Sequence, residues 1–117
     1  MQYLLLIYEE EKIWTTMSES ERMAIFKEYR AYTDGIKASG HYVGGNPLQP
    51  THTATTVRVR GGKASTTDGP FAETREQLGG YYLVEAKDLD EATKLAAGIP
   101  GAKLGSIEVR PVMPVGP

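Results

Sequence analysis

With 117 residues, 40% of them apolar and 24% charged, the chain has room for one hydrophobic core and the composition of an ordinary folded protein, unlike a disordered or collagen-like polymer. A net charge of −2 lacks the basic excess that phosphate-backbone binding needs, so no nucleic-acid partner is expected. The absence of cysteine removes disulfides, thiolate nucleophiles and sulfur-ligated metals and fits a reducing compartment.

Tyr3, Leu4, Leu5, Leu6, Ile7 and Tyr8 form a short continuous apolar run, which predicts a central strand buried on both faces. The run has neither the basic leader nor the small-residue cleavage site of a signal peptide, and no stretch approaches the ~18 residues of a membrane span. A cytoplasmic protein without membrane contact is therefore expected. Glu9 to Lys12 reads as a charged loop. Ser18 precedes Glu21 by three residues, the spacing of a reciprocal helix cap. Met23, Phe26, Tyr29, Thr33 and Ile36 then recur at helical intervals and predict one apolar stripe, with Lys27, Glu28 and Arg30 in water. Gly40 sits where a left-handed glycine ends such a helix.

His41 to Pro50, with Gly44, Gly45, Pro47 and Pro50, reads as a short extended piece leading into a loop. Ala54 to Arg60 and Lys63 to Thr67 flank Gly61-Gly62, a two-residue turn signal, and predict a hairpin with one face in water. Asp68-Gly69-Pro70 ends it. After a polar connection, Tyr81 to Val84 form a second central strand. Asp88 caps a second helix bearing Leu89, Ala92, Leu95 and Ala96, and Ile107 to Arg110 make a last strand.

The order strand, helix, strands, helix, strand gives an α+β, ferredoxin-like antiparallel sheet with two helices on one face, formed by the whole chain, 1–117, as one domain. Strands apolar on both sides leave a second face to cover. Another copy of the chain is the simplest supplier, so a homodimer is expected.

The segment Thr66-Thr67-Asp68-Gly69-Pro70-Phe71-Ala72-Glu73-Thr74-Arg75-Glu76-Gln77-Leu78-Gly79-Gly80-Tyr81-Tyr82 resembles the DGPF family of YCII-related proteins. The resemblance extends to Tyr3–Tyr8, Thr55–Arg58, Asp88–Ala92 and Ile107–Pro111. It implies the subunit of a dimeric α+β barrel, a fold whose members include enzymes with pockets between sheet and helices, but supplies no reaction. YCII-type relatives imply a histidine in the first helix and an aspartate near the end of the second as an acid/base pair. Glu19 to Ser39 holds no histidine and Ala96 to Pro100 no aspartate, so that pair is not carried over.

Asp68 either fixes the turn at Gly69-Pro70 or joins Glu73 in a paired-carboxylate site for acid/base work. Arg58 and Arg60 share one hairpin face, which either is solvated or meets an anion or the Asp68 loop. Of the two histidines, His41 and His52, the loop residue His52 is the catalytic candidate, and no metal site is expected. Tyr8, Tyr81 and Tyr82 lie on the central strands, where core filling competes with hydrogen bonding to a ligand. Trp14 and Phe71 read as anchors that pin loops to the body. The leading reading is a small-molecule enzyme or binder, without cofactor, whose pocket at the barrel involves Tyr8, Arg58, Asp68, Glu73, His52 and Tyr82. The alternative is a non-catalytic regulatory or protein-interaction module, linked through the family resemblance to sigma-factor regulation.

Overall fold

The computed structural model describes residues 1–116. Strand β1 (Gln2–Glu9) is followed by a one-turn helix α1 (Ile13–Thr16), the long helix α2 (Glu19–Ala38) and strand β2 (Tyr42–Pro47). Strands β3 (Thr55–Arg60) and β4 (Lys63–Asp68) form a hairpin, after which come β5 (Gln77–Glu85), α3 (Leu89–Ala97) and β6 (Ser106–Pro111). The main sheet runs β2-β5-β1-β6, every neighbouring pair antiparallel. The chain is thus α+β and ferredoxin-like, the subunit fold of the dimeric α+β barrel. No helix among the described residues is long and apolar enough to cross a membrane.

Alternation along the two central strands sorts the side chains. Tyr3, Leu5 and Ile7 of β1 and Tyr82 and Val84 of β5 point to the helices and are buried with Ile36, Ala92, Ala96 and Ile99. Leu4, Leu6 and Tyr8, with Tyr81 and Leu83, point the other way and stay half-buried, because no helix covers that face. The expected capping box is present: Ser18 Oγ accepts from the Glu21 amide at 3.1 Å and the Glu21 carboxylate accepts from the Ser18 amide at 3.0 Å. Within the predicted stripe of α2, Tyr29, Thr33 and Ile36 turn inward, whereas Met23 and Phe26, nearer the start of the helix, are exposed.

Two expectations need correcting. Glu9 is the last residue of β1 and is buried, not part of a loop, because it continues the inward parity of Tyr3, Leu5 and Ile7. The hairpin has both faces in water rather than one, since β3 and β4 pair only with each other. Its two-glycine tip is as read, with Gly61 at φ +57° and Gly62 at +77°, the left-handed pair of a tight hairpin turn. This arm spreads the molecule over 48 × 47 × 19 Å and raises the radius of gyration to 16.3 Å, against about 13 Å for a compact chain of this length. Phe71, read as a loop anchor, is 77% exposed at the base of the arm.

The capping box should carry part of the stability of α2. Replacing Ser18 by Ala is expected to cost about 1 kcal/mol in urea unfolding, and a change within experimental error would show that the cap is energetically idle.

Candidate functional site

Between α2 and the sheet, at the end where β1 runs out, lies a cleft of about 870 Å³. One wall is aromatic: Trp14 from α1 stacks on Phe26 of α2 with centroids 5.9 Å apart, and Tyr29, Tyr42 and Tyr82 continue it. The floor is strand backbone at Gly45, Gly79 and Gly80, and the rim is the segment Pro47 to His52.

Glu9 stands in this cleft. The residue is 6% exposed, and among the described residues its one hydrogen-bond donor is the Trp14 indole, Nε1 to Oε1 at 2.8 Å, while Oε2 is buried with no partner among them. Burial is the main reason that its carboxyl pKa is raised, with the charge of Glu76 adding to it and the indole bond opposing. Glu10, one residue on and of opposite parity, is held below the usual carboxylate range by its hydrogen bond to Arg75 at 3.2 Å and by Lys12 at 3.6 Å. The pKa values of adjacent carboxylates are thereby shifted in opposite directions, the inner one up and the outer one down.

The surroundings of Glu9 are fixed from several sides. Arg22 donates through Nη1 to the carbonyls of Trp14 at 3.1 Å and Met17 at 2.7 Å, which ties α1 onto α2. Glu11 accepts from the Thr51 amide and hydroxyl at 2.7 and 2.8 Å, which holds the rim. Tyr29 Oη accepts from the Gly101 amide at 3.1 Å, and its pKa is pushed up to about 12 by burial and by the neighbouring Glu9 charge, so the phenol stays neutral. A Cβ on Gly101 would stand 2.5 Å from Tyr29 Oη and 3.7 Å from Glu9 Oε2, so the two polar groups converge on one spot. Tyr82 Oη and Thr33 Oγ1 share a hydrogen bond of 2.7 Å; burial again raises the phenol's pKa.

Of the residues singled out in the sequence, Tyr82 and His52 reach the cleft, Tyr82 buried in its wall and His52 exposed at the rim. Tyr8 lies on the opposite, open face of the sheet. Asp68 and Glu73 are exposed at the base of the arm and its following loop, and Arg58 lies on the arm, donating to the Phe71 carbonyl at 3.3 Å; none of the three lines the cleft of the single chain. His41 is held at the end of α2 between Ser39 Oγ, 2.6 Å away, and Glu91, 3.2 Å away. Trp14 does anchor its loop, and does so through Glu9, the residue that reading the sequence missed. The signal was there: Glu9 continues the two-residue period of Tyr3, Leu5 and Ile7.

Comparison with known proteins places the chain among relatives. It is 36% identical over 114 residues to an uncharacterized protein of Rhizobium meliloti (strain 1021), an alignment that covers 96% of this chain and 92% of the relative. Its structure is similar to that of 5-chloro-2-hydroxyhydroquinone dehydrochlorinase from Burkholderia phenoliruptrix AC1100, solved as a complex with 2,5-dihydroxybenzoquinone. That likeness has a TM-score of 0.56 at 17% identity, covers 97% of this chain and 94% of the other, and is one of fold. The family model of the YCII-related domain matches residues 1–116, and the chain therefore belongs to the YCII-related family.

Proposed function

We propose that this protein binds a small organic molecule in the cleft between α2 and the sheet, and that Glu9 exchanges a proton with it. The observation that carries the reading is a nearly inaccessible carboxyl with one unpartnered oxygen, set in an aromatic cleft large enough for a small ligand. Burying a carboxyl costs free energy unless its oxygens are paired, so an unpaired one beside a cleft supports a role in chemistry done there. The fold neighbour supports the reading to the extent that it is an enzyme acting on a small hydroxylated ring. His52 and Tyr82 are the expected residues that join Glu9, His52 as a proton-transfer group at the mouth and Tyr82 in the wall.

The same proposal includes a homodimer. Leu4, Leu6, Tyr8, Tyr81 and Leu83 form a largely apolar stripe on the open sheet face, and a two-fold partner sheet would cover it. In that assembly Tyr8 belongs to the interface, while Arg58, Asp68 and Glu73 on and beside the arm are the groups free to reach the other subunit. The second reading, a protein-interaction module, draws on the arm, where Val57 and Val59 are exposed, and on Phe71, exposed at its base.

A thermal-shift screen of small organic compounds tests the leading reading. A binder whose effect on melting temperature disappears in Glu9→Gln is expected, whereas capture of a specific protein through the arm with no compound bound in the cleft would favour the second. Glu9 also dictates a pH dependence. Because its native pKa is raised, the folded chain holds the proton more tightly than the unfolded chain, so stability conferred below the ordinary carboxylate pKa is lost as pH rises through the raised value. Glu9→Gln should flatten that part of the stability profile; a profile identical to that of the parent would contradict it. For the dimer, Leu6→Asp is expected to weaken association by more than about 2 kcal/mol and to yield a 12.8 kDa monomer in sedimentation. A parent chain already monomeric at micromolar concentration would end the dimer proposal.

A further inference from the structure

Resting on the reading of the cleft just given, a specific feature of β5 determines what can reach Glu9. In the register of β1 against β5, Ile7 pairs with Gly80 and Tyr8 with Leu78, so Gly79 is an extra, unopposed residue, a β-bulge. Its carbonyl leaves the β1–β5 ladder and accepts from the Leu48 amide at 2.9 Å, which ties the bulge to the cleft rim. Bulges re-aim a strand locally, and this one turns a glycine toward the acid. A Cβ built on Gly79 would lie 3.8 Å from Glu9 Oε1 and 4.0 Å from the Ile7 carbonyl oxygen, with no closer atom among the described residues beyond its chain neighbours. Those are ordinary contact distances, and Gly79 is not among the glycines with positive φ.

The two other glycines of the floor differ. A Cβ on Gly45 would meet the Tyr81 carbonyl at 2.8 Å and the Tyr82 ring at 2.9 Å, and one on Gly80 would meet the Asn46 carbonyl at 3.1 Å. Packing therefore accounts for glycine at 45 and leaves a side chain at 80 crowded against backbone. At 79 neither packing nor backbone geometry accounts for glycine, and what the missing side chain leaves is a methyl-sized space beside the carboxyl.

The rest of the cleft states what fits there. Between a Cβ-poor strand floor and the aromatic wall of Trp14, Phe26, Tyr42 and Tyr82, a flat molecule gains contact on both faces. Of the basic side chains that line the cleft, Arg22 is engaged by two backbone carbonyls, Lys12 lies beside Glu10 and His52 is exposed at the rim, and among the described residues none pairs with Glu9, so an anion beside Glu9 would meet a like charge without a counter-charge in contact. Oε1 of Glu9, the oxygen that faces Gly79, accepts from the Trp14 indole and has room in its acceptor capacity for a second hydrogen bond. We propose that Gly79 is a specificity-determining position, and that the space it leaves receives the oxygen-bearing edge of a flat, uncharged ring compound, a phenol or cyclic enone type of molecule, against the Glu9 carboxyl.

The chain's single tryptophan is bonded to Glu9, so the Trp14 indole N–H resonance reports on this spot directly. Titration of the full chain with phenol, cyclohexanol, toluene and benzoate separates the requirements for flatness, oxygen and neutrality. Saturable shifts are expected with phenol, and affinities at least tenfold lower with the other three. Gly79→Ala should keep the parent's melting temperature and lose phenol affinity by tenfold or more. A folded Gly79→Ala that binds phenol like the parent overturns the inference. If that variant does not fold, a crystal structure of the parent with phenol decides: its oxygen within hydrogen-bond distance of Glu9 beside Gly79 supports the assignment, and a ring seated elsewhere overturns it. Should other compounds bind the cleft while phenol does not, this inference falls and the cleft reading stands. Failure of every compound in the panel and in the wider screen to move the indole resonance removes both.

Discussion

The two-residue period of β1 sends Tyr3, Leu5 and Ile7 into the core and, with the next step of the same alternation, sends Glu9 in after them. A strand whose first three inward residues are locked between sheet and helices has no freedom to turn the fourth outward without a bulge of its own. The carboxyl is therefore held in place by the register of the sheet, and a one-residue slip would exchange it for Tyr8 together with the whole core face. What surrounds Glu9 follows from that constraint. The indole of Trp14 supplies one hydrogen bond, Arg22 fixes the turn that carries Trp14, and Glu11 fixes the rim opposite. One neutral bond to a carboxyl offsets only part of its desolvation, about 1 to 3 kcal/mol at most. The residual imbalance appears as the raised pKa and as the unpartnered Oε2.

Much of the fold was legible because local signals and tertiary packing agree. The Ser18–Glu21 cap, the left-handed Gly40, the Gly61-Gly62 tip and the Asp88 cap each describe contacts within a few residues, and each is where the spacing put it. The site was less legible for a definite reason. Glu9 adjoins Glu10, Glu11 and Lys12, and a run of charges after an apolar segment looks like solvent-facing loop. Only the parity of the strand distinguishes the first member of that run from the others. Trp14 was correctly read as an anchor, but its partner lies on another element, as does the link between Glu11 and Thr51 across 40 residues. The bulge at Gly79 depends on pairing between distant strands, which no pattern within Gln77 to Glu85 reveals.

The two faces of the sheet divide the labour of the molecule. The helix side holds the ring-lined core, where Tyr82 meets Tyr32 edge to face at 5.3 Å and Tyr42 at 6.4 Å, and passes without a break into the cleft. The other face carries Leu4, Leu6 and Leu83 beside an ion pair of Glu108 with Arg110.

The arm formed by β3 and β4 obeys different rules from the rest of the chain. Its ladder hydrogen bonds are internal, so its length is uncoupled from the core: one more residue in each strand would lengthen it by about 3.4 Å and leave every buried contact unchanged. Lengthening by one residue also exchanges which faces Arg58 and Val59 share with the tip, whereas lengthening by two preserves them. The reach of this arm can therefore change in even steps while the core stays fixed.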